Sequence, residues 1–315
     1  MKNTNLKRLM AGTVGTLCLL IILLAVFACL SDIFLTSSNI SNLLVQSGTN
    51  AIIAIGMTFV IISGNIDISV GSILALSGCV GAKVMVDTGS TILGVVVVLS
   101  VGVLLGLFNG VLISYLNFQP FIVTLSTMWL YRGMAYLYTG GRAIVGLPDA
   151  LVKLGRGKLL ELPNVVWLII VLYAVCYFVL TKTTFGRKIY AIGDNQESAR
   201  LSGINVKRTK LIVFAMSGFF AALSALVYMS RLNSGQPIAG QSYEMYAIAA
   251  SVIGGASLVK GGIGDVIGTL IGAIFIAGLQ NGLTILNVST YWQQVCMGLV
   301  VLMAVGLDRL RKTIK

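Results

Sequence analysis

Charged residues in this chain are bunched, and between the bunches lie apolar runs of about 20 residues, the length a helix needs to cross roughly 30 Å of hydrocarbon. Only 10% of the 315 residues are charged and 57% are hydrophobic, with a mean hydropathy of +0.95. A soluble domain of this length could not hide so much apolar surface, so a bilayer must act as the solvent. The 36 glycines fit the same reading, because membrane helices use small residues to pack closely.

The runs predict an all-α membrane protein, a single transmembrane domain over residues 1–315, with helices at roughly 9–30, 44–63, 68–86, 91–113, 121–138, 164–181, 211–230, 243–259, 265–284 and 291–308. The first run is long for a secretory signal core and lacks a convincing small-residue cleavage site, so it reads as an uncleaved first span. The third and eighth spans carry Lys83 and Glu244 near one end, where such side chains can snorkel to the interface. With these ten spans and a cytoplasmic N-terminus, fifteen Lys and Arg fall on the cytoplasmic side and five opposite, with Lys83 and Arg132 inside spans. That imbalance obeys the positive-inside rule with both termini cytoplasmic; an odd count would place the basic tail outside. The net charge of +12 therefore reflects topology and contact with anionic headgroups of the lipid bilayer, not nucleic-acid binding.

The chain has no histidine, and its five cysteines all sit inside apolar runs without a metal-ligand neighbour. They read as small buried hydrophobes, and His-based acid–base catalysis and His-ligated metals are excluded.

Two polar features stand out. The segment over about 182–210 is the longest polar interruption assigned to the cytoplasm, and Asp194 or Asn195 can cap a short helix there, with Glu197 in its first turn and Gly203 as a stop. An amphipathic helix held between two spans suits a handle by which another subunit pushes on the membrane domain. The other feature is a pair of similar turns, Ser63–Ser72 (SGNIDISVGS) and Gly261–Thr269 (GGIGDVIGT). Each places an acid, Asp67 or Asp265, where it can cap the following helix, near Gly64, Gly71 and Ser72 or Gly262 and Gly268. Their likeness is compatible with an internal repeat. Arg132 falls about eleven residues into the fifth span, near mid-membrane, as a pathway residue or an internal structural partner. Asn109, Asn117 and Gln119 are further candidates for the pathway, since amides can bond a hydroxylated solute, or they bridge helices.

Over essentially its whole length the chain resembles the ribose-type permeases of bacterial importers for monosaccharides that are driven by an ATP-binding cassette subunit. The resemblance rests on four ordered motifs: Ser63–Ser72, Asn117–Leu125 (NFQPFIVTL), the segment with Gly186-Arg187, Ala191–Asn195, Glu197, Ala199-Arg200 and Ser202–Ile204, and finally Gly254–Leu258, Gly261-Gly262, Gly268-Thr269 and Asn281–Leu283. Glu197, Ala199 and Gly203 match the broader importer pattern Glu-Ala-Ala, three residues, Gly, with Ser198 replacing the first Ala. Where family signatures begin with two glycines, this chain has Gly64-Asn65.

The resemblance implies a bacterial inner-membrane permease whose residues Arg187, Asp194, Asn195, Glu197, Ala199, Arg200 and Gly203 dock into a cytoplasmic ATP-binding subunit. It implies a second permease copy, identical or related, with the pathway between the two. It also implies a periplasmic sugar-binding protein on the outer face, for which Arg142, Lys153, Arg156 and Lys158 are the candidate docking charges. This chain carries no cofactor of its own and no phosphate-loop motif, so ATP and Mg belong to the partner. An ion-coupled secondary transporter is the alternative, though it would want an acid deep in a span. A membrane enzyme would want an acid–base pair or a nucleophile elbow that the sequence does not present.

Overall fold

The computed structural model describes residues 13–313; Lys2, Lys7, Arg8 and Lys315 of the basic clusters lie outside the described residues. Thirteen helices are described: α1 Thr13–Leu30, α2 Ser37–Ile62, α3 Val70–Thr88, α4 Thr91–Ser114, α5 Pro120–Thr139, α6 Asp149–Arg156, α7 Asn164–Lys182, α8 Thr184–Asp194, α9 Gln196–Leu201, α10 Val206–Leu232, α11 Tyr243–Ile253, α12 Val266–Ile285 and α13 Thr290–Thr313. Four two-residue strands, β1 Ile144–Val145, β2 Lys158–Leu159, β3 Leu162–Pro163 and β4 Ser234–Gly235, form two small antiparallel pairs, β1 with β4 and β2 with β3. Six helices (α2, α3, α4, α7, α10 and α12) are long and apolar enough to cross a membrane, with shorter apolar stretches at Val14–Leu30, Tyr243–Ile253 and Thr290–Gly306. Helix is the expected solution, since hydrocarbon offers a backbone N–H or C=O no partner outside its own segment. The chain is a multi-pass membrane protein. Its end bearing α8 and α9 is termed the lower end, and the end bearing α6 the upper.

Helix α2 is the hub. In its apolar window 89% of residues are buried, against 22% for α4, so α2 faces protein on every side while α4 lies at the rim. Neighbouring hydroxyls donate to α2 carbonyls: Tyr173 to Ala51 O at 2.9 Å and Ser224 to Thr49 O at 2.7 Å. Thr58 bonds Thr269 at 2.7 Å and Ser251 at 3.1 Å, tying α2 to α12 and α11. Helices α4 and α10 cross so closely that a methyl group on Gly106 would lie 3.1 Å from the Gly218 Cα.

Near the upper end Asn39 of α2 and Asn281 of α12 exchange reciprocal side-chain bonds, each 2.9 Å. Replacing Asn39 with alanine strands a buried amide, and is expected to lower stability by about 1–2 kcal/mol. Chemical denaturation of the solubilised protein checks this.

The eighth span departs from expectation. In place of a helix over 243–259, the helix α11 stops at Ile253 and is preceded by non-helical chain over 234–242. That chain descends along α3, where a Cβ on Gly235 would meet Ala82 and Cys79, and one on Gly240 would lie 3.1 Å from the Gly71 Cα. Gly235, Pro237 and Gly240 account for the break, since glycine and proline both disfavour a helix interior. Of the interfacial residues expected to snorkel, Lys83 is half exposed and pairs with Asp87 at 2.8 Å.

Candidate coupling junction and pathway residues

The polar segment after α7 forms two helices, one more than expected. Thr183 caps α8, accepting from the Gly186 N–H at 3.2 Å, and α8 buries Gly186, Ile189 and Ile192 while leaving Arg187 exposed. Asn195, rather than Asp194, caps α9 by accepting from the Ser198 N–H at 2.9 Å. Ala199 is buried, and Gly203 ends the helix with φ 81°. Glu197 and Arg200 make a two-pronged ion pair at 2.5 and 3.1 Å on the exposed face. The hydrogen bond from Arg200 holds the Glu197 carboxyl below its ordinary value. Leu201, 75% exposed beside this pair, gives the surface an apolar centre that the sequence reading passed over.

Both signature turns converge on α8. Gly193 sits where a side chain would collide with the Ile62 carbonyl and the Gly262 N–H, and Gly262 N–H donates to Ile62 O at 2.8 Å. Gly64 and Gly262, with φ of 77° and 73°, flank the contact. Tyr190 of α8 donates to Gly264 O at 2.7 Å, and burial pushes its phenol upward, keeping it a neutral donor. Lys260 reaches Asp194 at 3.2 Å, but both are more than half exposed, so this ion pair contributes at most about 1 kcal/mol. Asp308 of α13 fixes the same turn by accepting from Ser257 Oγ at 3.1 Å and from the Leu258 and Val259 N–H groups at 2.9 and 3.3 Å. Sequence reasoning missed Asp308; an acid near the end of an apolar run was its only signal.

The two turn acids play different parts. Asp265 caps α12, accepting from the Gly268 N–H at 2.6 Å, while Gly268 packs on the Gly254 carbonyl. Asp67 does not cap α3 through its first-turn amides. It is fully buried and accepts from Ser69 N–H at 3.0 Å, Ser69 Oγ at 2.6 Å and Ser217 Oγ of α10 at 2.7 Å. Asn109 donates to Ser69 Oγ at 2.8 Å, and Tyr131 donates to Asn109 Oδ1 at 3.0 Å. Every bond in this chain points toward Asp67, binding α4, α5 and α10 to the turn that precedes α3. Ser72 bonds back to Ser69 O at 2.7 Å, and Gly71 lies against Gly240 and Glu244.

The four candidate pathway residues are not brought together. Asn109 is wholly buried in the network just described. Arg132 donates to Pro237 O and Ala239 O, both at 2.6 Å, supplying partners to non-helical carbonyls at membrane depth. Asn117, with φ 56°, and Gln119 are exposed in the lower-end turn between α4 and α5. Arg142, Lys153, Arg156 and Lys158 are all exposed at the upper end, with Arg156 donating to Arg231 O at 3.1 and 3.2 Å. Among the described residues no His, Cys, Asp or Glu cluster could hold a metal ion.

Long apolar helices packed around α2, with α8 seated across two glycine-rich turns at one end, form a multi-pass membrane domain. The chain belongs to the permease family described as branched-chain amino acid transport system / permease component, which matches residues 39–305. It is 46% identical to the ribose import permease of Haemophilus influenzae, over 92% of this chain and 90% of that relative, and 44% identical to that of Bacillus subtilis over the same shares. The D-allose transport system permease of Escherichia coli is 39% identical over 94% of this chain and 91% of its own length. No solved structure matches the chain.

Proposed function

We propose that this chain is the membrane-spanning permease subunit of an ATP-driven, binding-protein-dependent importer of a simple sugar, ribose or a related monosaccharide, in the bacterial inner membrane. Relatives named for ribose, D-allose and xylose support that substrate class. The chain crosses the membrane ten times with both ends cytoplasmic, so the lower end faces the cytoplasm and the eighth crossing is the broken 234–253 segment.

The observation that carries the reading is the seating of α8 on both glycine-rich turns. Displacing α9 displaces α8, and through Gly193 the turns that open α3 and α12. The exposed Glu197, Arg200 and Leu201 face is what a cytoplasmic ATP-binding subunit, holding ATP and Mg, would grip. A second permease copy pairs with this one, and the upper-end cations receive the periplasmic sugar-binding protein. ATP binding then moves the junction by preferring one of two states.

Purification of the complex from membranes, followed by ATPase and uptake assays in vesicles, tests this. The ATP-binding subunit should accompany the chain and be lost from a Glu197→Arg/Gly203→Val protein, whose uptake should fall at least about tenfold, the factor that 1.4 kcal/mol of lost docking energy represents. A chain that purifies alone and takes up solute on an ion gradient would make it a secondary transporter, with buried Asp67 as the residue to suspect.

A further inference from the structure

The crossing that breaks before α11 exposes polar, non-helical chain in the middle of the bilayer. Its depth follows from its neighbours. Gly240 packs on Gly71, and Gly71 lies twelve residues along α3 from Lys83, whose half-exposed ion pair with Asp87 sits where the upper end meets water. At 1.5 Å per residue that is about 18 Å. In the other direction α11, Tyr243–Ile253, runs to the lower-end turn over about 16 Å. Residues 240–242 therefore sit near the midplane of roughly 30 Å of hydrocarbon.

At that depth Gln241 is exposed, Ile238 is 52% exposed and Ser242 is held at φ 66°. Arg132 of α5, which bonds the carbonyls of this stretch, is only partly covered, and close by on the same helix Trp129 is 70% exposed. A methyl group on Gly133 would meet nothing.

Lipid is a poor cover for this patch. Hydrocarbon offers no partner to an exposed carboxamide, an irregular backbone or a guanidinium, and such groups occur at membrane depth only against protein or water. A soluble subunit does not reach the midplane, so the covering protein must itself span the membrane. The patch suits a copy of itself. A twofold contact brings the same residues together from both sides, the Gln241 amide both donates and accepts, and Ile238 and Trp129 supply apolar contact.

We propose that a second copy of this chain packs over the break, so that residues 238–245 and the Trp129–Gly133 stretch of α5 from the two copies face each other across a twofold axis. The proposal rests on the importer reading, which calls for a second permease, and adds the face that receives it. Arg132 then serves its own copy as a donor to loop carbonyls and lies at the seam between the two.

The test places photoreactive benzoylphenylalanine at Ile238 or Met245, on either side of the break, or at Leu104 of α4 as a lipid-facing control, in an importer built from two differently tagged copies of the chain. Irradiated membranes should yield an adduct carrying both tags from positions 238 and 245 and none from 104. Adducts to lipid alone, or to a different protein, at both positions overturn the proposal. Native mass spectrometry of the unsubstituted complex is a second reading that needs no variant, and a single copy per complex overturns it as well. Uptake is scored separately: absence of ATP-driven uptake by the unsubstituted protein removes the importer reading, whereas a two-tag adduct without uptake still establishes the face.

Discussion

Gly193→Val is expected to cut ATP-driven uptake by at least about tenfold while leaving a protein that inserts and purifies. Overpacking a tight contact costs about 1–3 kcal/mol even where side chains can yield. At Gly193 the obstacles are backbone atoms, the Ile62 carbonyl and the Gly262 N–H, and the carbonyl carbon lies only 3.0 Å from the added Cβ. The platform must lift, which breaks the bond from Tyr190 to Gly264 and separates α8 from both turns. The core about α2 does not depend on that contact, so the bundle survives. Uptake and substrate-stimulated ATPase measured together check this. Unchanged coupling in a folded G193V protein would mean that force does not pass through this junction.

Asp67→Ala is expected to lower stability by about 3–5 kcal/mol, because it strands the Ser69 N–H, the Ser69 hydroxyl and the Ser217 hydroxyl in a fully buried turn. Asp265→Ala removes a helix cap at a partly exposed position and should lower it by only about 1 kcal/mol. The two acids occupy matching places in similar sequences, so the contrast comes from what surrounds them. Denaturation of both variants in mixed micelles measures it. Equal losses would show that the chain from Tyr131 through Asn109 to Asp67 contributes nothing beyond a cap.

Much of the architecture was legible from local rules. The caps at Asn195 and Asp265 and the stop at Gly203 follow from side-chain geometry within three or four residues. Helix α8 was harder to see, because glycines and charges in its sequence obscure an apolar face that shows only at Ile189 and Ile192. The break before α11 was written in Gly235, Pro237 and Gly240, but a reading that scores hydropathy alone passes over it. For Arg132 and Asn109 the sequence left a pathway role and a structural partner equally open, for a plainer reason. A polar residue in an apolar run announces that it has a partner and does not say which; Arg132 found loop carbonyls and Asn109 found Ser69.

The sequence by itself determined the solvent, most of the long helices and the segments that matter, because hydrocarbon admits few backbone solutions and the motifs are contiguous. Only the tertiary structure decided that the two turns and α8 form one junction and that Asp67 and Asp265 differ. Those facts depend on groups from distant segments meeting in three dimensions, and no periodicity or spacing along a single chain encodes which distant segments meet.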